Sequence, residues 1–171
     1  MMKRLLFVLL IMGVIGVCYA VIAPETHEQI EKRLNLPPQP TDKVILDGIL
    51  EPDVDKDELR DDLKRRIAFA LPTNPQARKF FEREVYLWTQ MVKHKNNRAK
   101  LLEFDKELNK IADCKIKGIV KVPKKLAYFN DYITVGFGRA ELNSEIQRTI
   151  GDVPFEIFSD ESLKEYYNTF K

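Results

Sequence analysis

The chain has 171 residues, 44% apolar and 32% charged, with nine Pro, seven Gly and two Cys. That is one domain's worth of chain at about 150 residues each, and the composition excludes collagen-like, low-complexity and wholly disordered classes. Two cysteines exclude a disulfide-built scaffold, and no Cys and His spacing offers a four-ligand zinc site.

The N-terminus carries the strongest signal. Lys3 and Arg4 precede a run from Leu5 to Ala23 with no charged residue in 19 positions. A positive start followed by an apolar stretch reads as a secretory signal, and Cys18-Tyr19-Ala20 puts a small residue where signal peptidase needs one. Ala20 is the preferred cut, because Pro24 beside the scissile bond would hinder cleavage after Ala23. The alternative is an uncleaved anchor: 19 residues at 1.5 Å rise reach about 28 Å, close to a hydrocarbon core of about 30 Å. A lipoprotein reading is disfavoured by Val17 before Cys18, where a small residue is wanted. Both the cleaved signal and the anchor place the rest of the chain outside the cytoplasmic membrane, in the periplasm or held to the inner membrane through residues 5–23.

Removing residues 1–20 takes away two bases and no acid, leaving 26 of each. The formal charge of +2 is therefore no argument for nucleic acid, and no nucleic-acid partner is expected. Charge is instead distributed in blocks: nine acids and three bases over 42–62, 17 bases and six acids over 64–125, four bases and eight acids over 126–171. Blocks of opposite sign neutralise each other within a fold or solvate helix faces, with a basic face for an anionic partner as the alternative.

Thr26 and Gln29 have capping-box spacing, and Ile30 and Leu34 lie four apart, which predicts a short helix over 27–35. Pro37-Pro38-Gln39-Pro40 ends it, and 36–46 reads as a linker. The division expected is thus 1–23 signal or anchor, 24–46 juxtamembrane helix and Pro-rich linker, and 47–171 globular helical domain. Leu59, Leu63, Ile67 and Ala70 recur at helical spacing, predicting a helix from Asp57 to Ala70 stopped by Pro72.

Asn74-Pro75 starts a helix with a side-chain cap and a residue preset for the first turn. Its stripe of Ala77, Phe81, Val85, Trp88 and Val92, widened by Phe80, Leu87 and Met91, faces a core; a ligand pocket is the alternative. Asn96-Asn97 breaks the helix, after which Leu101, Phe104, Leu108 and Ile111 continue a helical face to about Asp113. Burial is expected for Trp88, Phe81 and Leu108.

From Cys114 to Val122 apolar residues alternate with others, Lys115, Lys117 and Lys121 among them. This period of two predicts a strand with a wet lysine face. Residues 124–137 read either as a helix with Leu126, Phe129 and Ile133 on one face, or as a strand over 132–137. A helix over 140–150 stops at Gly151, and Ser159 caps a last helix with Leu163, Tyr166, Tyr167 and Phe170 on one face. The fold class expected is mainly α, with short β elements near 114–137; α+β is the alternative.

One motif carries chemistry. Asp53, Asp55, Asp57 and Asp61 stand at positions 1, 3, 5 and 9 of a loop directly before a helix, the front half of a calcium loop. Calcium takes about six to eight hard oxygens, and alternate acids on a tight loop converge them on a point. Two positions depart: Glu58 stands at position six, where Gly permits φ > 0, and Lys64 at position twelve, where a bidentate Glu is wanted. The competing reading is an acidic first turn favourable to the helix dipole, with Asp53, Asp55 or Asp57 capping. Beyond weak calcium, no cofactor is expected.

Residues 48–67, from Gly48-Ile49 through Arg60-Asp61-Asp62-Leu63 to Ile67, resemble a signature of small exported bacterial proteins of unknown function. There, an Asp-x-Asn-x-Asn-Gly-Val-Arg-Asp-Asp-Val segment follows a signal peptide and a Pro-rich linker. The stretch 37–40 and the helix from Asn74 sit where that pattern has them, and Ala127-Tyr128 echoes a later Ala-Tyr motif. The resemblance implies a mainly helical periplasmic protein with an EF-hand-like loop and carries no activity.

His27 and His94 have no nucleophile or carboxylate dyad at local spacing and supply no catalytic residue. Cys114, the one cysteine outside the apolar run, reads as a buried thiol, and Gly136-Phe137-Gly138 lacks the Lys and Ser or Thr of a phosphate loop. Three functions stand open: a non-enzymatic exported protein that binds another envelope protein through a helical face, a calcium- or metal-stabilised envelope protein, and a small hydrolase assembled from distant residues.

Overall fold

The computed structural model describes residues 24–41, 45, 50, 52–127, 139–154 and 156–171. Among them the chain is mainly α: α1 His27–Leu34, α2 Asp61–Ala70, α3 Pro75–Lys93, α4 Arg98–Ile116, α5 Arg139–Ile150 and α6 Asp160–Asn168, with a 3-10 turn at Lys124–Leu126. The signal or anchor run 1–23, Gly136-Phe137-Gly138 and the helix-or-strand alternative over most of 124–137 lie outside the described residues. No described helix is long and apolar enough to cross a membrane.

Helix starts follow the capping chemistry of the sequence. Thr26 and Gln29 form the full capping box of α1, and the Asn74 side chain accepts from the Ala77 amide at 2.9 Å. Asn97 does the same for Lys100 at 3.2 Å, and Ser159 for Ser162 at 3.2 Å. Each satisfies one of the amides a helix start leaves free. Gly151 closes α5 at φ +71°, a left-handed conformation glycine takes without cost.

α1 lies against α2. The Arg65 guanidinium of α2 donates to the Gln39 side chain at 2.8 Å and to the Pro37 carbonyl at 2.6 Å, and pairs with Glu31. Arg33 holds both oxygens of Glu25 and donates to the Pro72 carbonyl at 2.8 Å. Ile30 is buried beneath this contact.

The main core joins α2, α3, α4 and α6 through Leu63, Ile67, Phe80, Phe81, Ile111 and Leu163. A smaller core joins α3, α4 and α5 through Met91, Leu101, Ile146 and Ile150. The α3 stripe is therefore core. Phe81 is buried as expected, whereas Trp88 and Leu108 are half-buried, Trp88 packing against the smaller core and Leu108 lying between the two cores.

The strand expected from Cys114 onward is not formed; no strand occurs among the described residues. Cys114 lies three residues beyond Ile111 and both are fully buried, so the helical face simply runs on. Gly118 at φ +70° ends the helix, with the Val120 amide reaching back to the Cys114 carbonyl at 3.1 Å. Ile116, an inward position under alternation, is 81% exposed. Lys117 and Lys121 are exposed as expected, but Lys115 turns inward to pair with the buried Glu84 of α3 at 2.6 Å.

Candidate functional site

The acidic loop before α2 is shaped by its own carboxylates. Asp53 accepts from the amides of Asp57 and Glu58, both at 3.1 Å, and Asp57 from the amide of Leu59 at 2.9 Å. Such local bonds compete with helix formation, so α2 starts at Asp61 and not at Asp57 as the periodicity predicts. The Asp61 amide closes the loop onto the Pro52 carbonyl at 2.7 Å. Arg60 occupies the N-cap without a side-chain cap bond, so Asp53, Asp55 and Asp57 do not cap α2. Asp61 and Asp62 supply the acidic first turn. Asp62 is spent in a buried pair with Arg60, at 3.0 and 2.9 Å.

Three of the four calcium-loop residues converge. Asp53, Asp55 and Asp61 each offer a carboxylate oxygen, and these atoms lie within 4.8 Å of one another. Asp57 does not join them. Asp61 is fully buried: Oδ2 accepts from the Val54 amide at 3.0 Å, while Oδ1 is buried with no hydrogen-bond partner. Burial pushes its carboxyl pKa up, and the charges of Asp55 and Asp53 add to this.

The two departures from the calcium pattern have distinct fates. Glu58 at position six adopts φ +67°, the left-handed turn that position demands, with Lys56 also left-handed at +58°. A non-glycine residue there carries strain. The Glu58 side chain is tied to α3, accepting from Gln90 at 2.9 Å and from Lys93 at 2.7 Å. The Lys93 hydrogen bond holds its carboxyl below the usual range against a smaller effect of burial.

Lys64 at position twelve places its ammonium between Asp55, at 2.6 Å, and Asp57. Burial pushes Asp55 up, but the hydrogen bond and charge of Lys64 outweigh it and leave the carboxyl below its ordinary value. The same contacts raise Lys64 despite its own partial burial.

Sequence reasoning passed over two further carboxylates on α3. Glu84 is 2% exposed, paired with Lys115 through Oε1, and its Oε2 has no hydrogen-bond partner. Glu82 is raised by burial and feels the charges of Arg78, Lys64 and Asp57. Glu84 falls three residues after Phe81, on the flank of the apolar stripe, and that spacing was the available signal. The Cys114 thiol is buried against the Leu163 carbonyl, and burial pushes its pKa up to about 11, which makes it inert as a nucleophile. His27 stacks on Phe69 and His94 tilts over Phe104, both in packing roles.

Against known proteins, no family profile, no curated protein and no solved structure matches this chain.

Proposed function

We propose that this chain is a non-enzymatic helical protein of the cell envelope, exported or anchored through residues 5–23, whose acidic loop binds a hard divalent cation of the calcium class weakly. The observation that carries this is the convergence of the Asp53, Asp55 and Asp61 carboxylates, of which Asp61 is buried and has one oxygen without a hydrogen-bond partner. Leaving such an acceptor buried and unpaired costs free energy that a bound cation would recover. Three side-chain oxygens fall short of the six to eight that calcium takes, so the expected Kd is about 10⁻⁴ to 10⁻³ M, the range of weak extracellular sites. The likeness of residues 48–67 to an exported EF-hand-like signature supports the same reading.

Calcium titration of the full chain by calorimetry tests it. Saturable binding in that range, lost in Asp53→Asn and in Asp61→Asn, is expected; no heat of binding up to 10-fold above that range would refute it.

A second reading, docking to another envelope protein, rests on Ile116 and Ile157, which are 81% and 83% exposed. The apolar face of α3 is spent on the core, so docking would use these residues in its place. A photocrosslinker at position 157 that gives one defined adduct in cells supports it.

A further inference from the structure

The Lys64 ammonium and the three-carboxylate group share one residue. Asp55 belongs to the group and also accepts from Lys64, whereas Asp57 accepts from Lys64 and stands outside the group. We propose that Lys64 is a built-in competitor for the cation site: a divalent ion gains Asp55 only by displacing the ammonium, so that the loop is either lysine-closed or ion-filled. This rests on the cation-binding reading above and adds its regulation.

The acidic cluster alone would not carry a ligand. The independent observation is Asp61, fully buried with Oδ1 unpaired although Lys64 stands three residues further along α2. Lys64 bonds to Asp55 and Asp57 and leaves that oxygen unanswered. The resident ammonium therefore reaches Asp61 through charge alone and gives its Oδ1 no hydrogen bond. An ammonium is a point charge with three donors on a flexible four-carbon stem, so it can leave one carboxylate while keeping another. On ion entry Asp55 turns to the ion. Lys64 stays with Asp57, beside Glu82 of α3, whose charge already interacts with both. Lys64 itself stays charged in both states.

Displacement makes the apparent affinity the intrinsic affinity reduced by the fraction of loops that are open. It also sets the response of the site to its surroundings. The lysine-closed loop tolerates cation-poor medium, since neighbouring carboxylates do not repel unscreened, and the ion-filled loop forms only when the divalent ion is abundant.

Calorimetry with calcium chloride on the full chain compares wild type, Lys64→Met and Asp57→Asn, with melting curves to show that each is folded. Removing a unit charge a few ångströms from a divalent ion is expected to tighten binding about 10-fold or more in Lys64→Met. Asp57→Asn, which removes no ligand but takes away a nearby negative charge and the second hold on Lys64, is expected to weaken binding, and by less than Asp53→Asn. Equal affinity in wild type and Lys64→Met overturns the competition while leaving the cation site standing. No binding in either removes the site itself. A loss in Asp57→Asn as large as in Asp53→Asn would make Asp57 a ligand and overturn the division between the two cations. Should Lys64→Met fail to fold, the wild-type Lys64 ammonium NMR signal decides: it must shift in step with calcium saturation, and a signal that stays fixed while the Asp53 and Asp61 amides respond refutes displacement.

Discussion

Two lysines, Lys64 on α2 beside the acidic loop and Lys115 on α4, each face carboxylates, and they do opposite things for the fold. Lys115 meets one carboxylate, Glu84, inside the α3 and α4 contact, where the pair is 14% and 3% exposed at the side chains. Lys64, itself 19% exposed, meets two carboxylates that are each about a third exposed, in a loop that holds more acids than it can neutralise, so the contrast lies in the partners. A buried pair is costly to break because the survivor is a charge out of water; an exposed pair breaks cheaply because water and salt take over. The first lysine is therefore structural, and the second can be exchanged.

The largest expected effect separates the two directly. Lys115→Ala strands Glu84 and should destabilise by about 3 kcal/mol, whereas Lys64→Ala without divalent ions should cost no more than about 1 kcal/mol. Denaturant unfolding measures both, and equal costs would erase the distinction.

A smaller effect follows from Glu84 itself. Burial raises its carboxyl pKa above the ordinary value of 4.5, with Lys115 only partly opposing. The folded state thus holds a proton that the unfolded state has released, and the contribution of this group to stability falls as pH rises from 4.5 towards the folded value. Glu84→Gln should remove that slope, so that its stability relative to wild type improves over the same window. Asp55 and Glu58 in the loop have lowered values, and their contributions run the other way, present above the ordinary carboxylate range and lost as pH falls. Unfolding free energies measured between pH 4 and 8 on Glu84→Gln and on Asp55→Asn should therefore diverge from wild type in opposite directions.

The smallest stability effect, but the most telling for the loop, comes from restoring both calcium positions. Glu58→Gly with Lys64→Glu relieves a left-handed residue, removes the competing ammonium and adds a carboxylate, and should tighten calcium binding by more than about 10-fold. Glu58→Gly alone also cuts the tether to Gln90 and Lys93, so its gain in backbone ease, of about 1 kcal/mol, is offset. No gain in calcium affinity from the double variant would leave the loop as a helix start and nothing more.

Much of the helical framework was legible because capping is local. Thr26, Asn74, Ser159 and Gly151 act within three or four residues of themselves, and each stands where the pattern puts it; Asn97, read only as a break, also caps α4. The failures have two causes: a partner far along the chain, or a local side-chain bond that outcompetes the helix. Alternation from Cys114 looked like a strand because Ile116 and Lys115 were judged without α3, whose Glu84 draws Lys115 inward. The start of α2 was misplaced because loop carboxylates claim the amides of Asp57, Glu58 and Leu59 before a helix can. At the site, the spacing of Asp53, Asp55 and Asp61 was readable. The departure of Asp57 and the bridge from Glu58 to residues 32 and 35 positions away were not.

The clamp of Arg33 on Glu25 and of Arg65 on Pro37, Gln39 and Glu31 shortens the leash on the folded body. Residues that read as a spacer are partly docked, so Pro24 alone stands between the apolar run ending at Ala23 and the first clamped side chain. If the run stays in the bilayer, that leaves too little slack for the body to range through the envelope. If signal peptidase cuts after Ala20, the same clamp leaves a stub of four residues before Glu25, and the released body carries almost no tail.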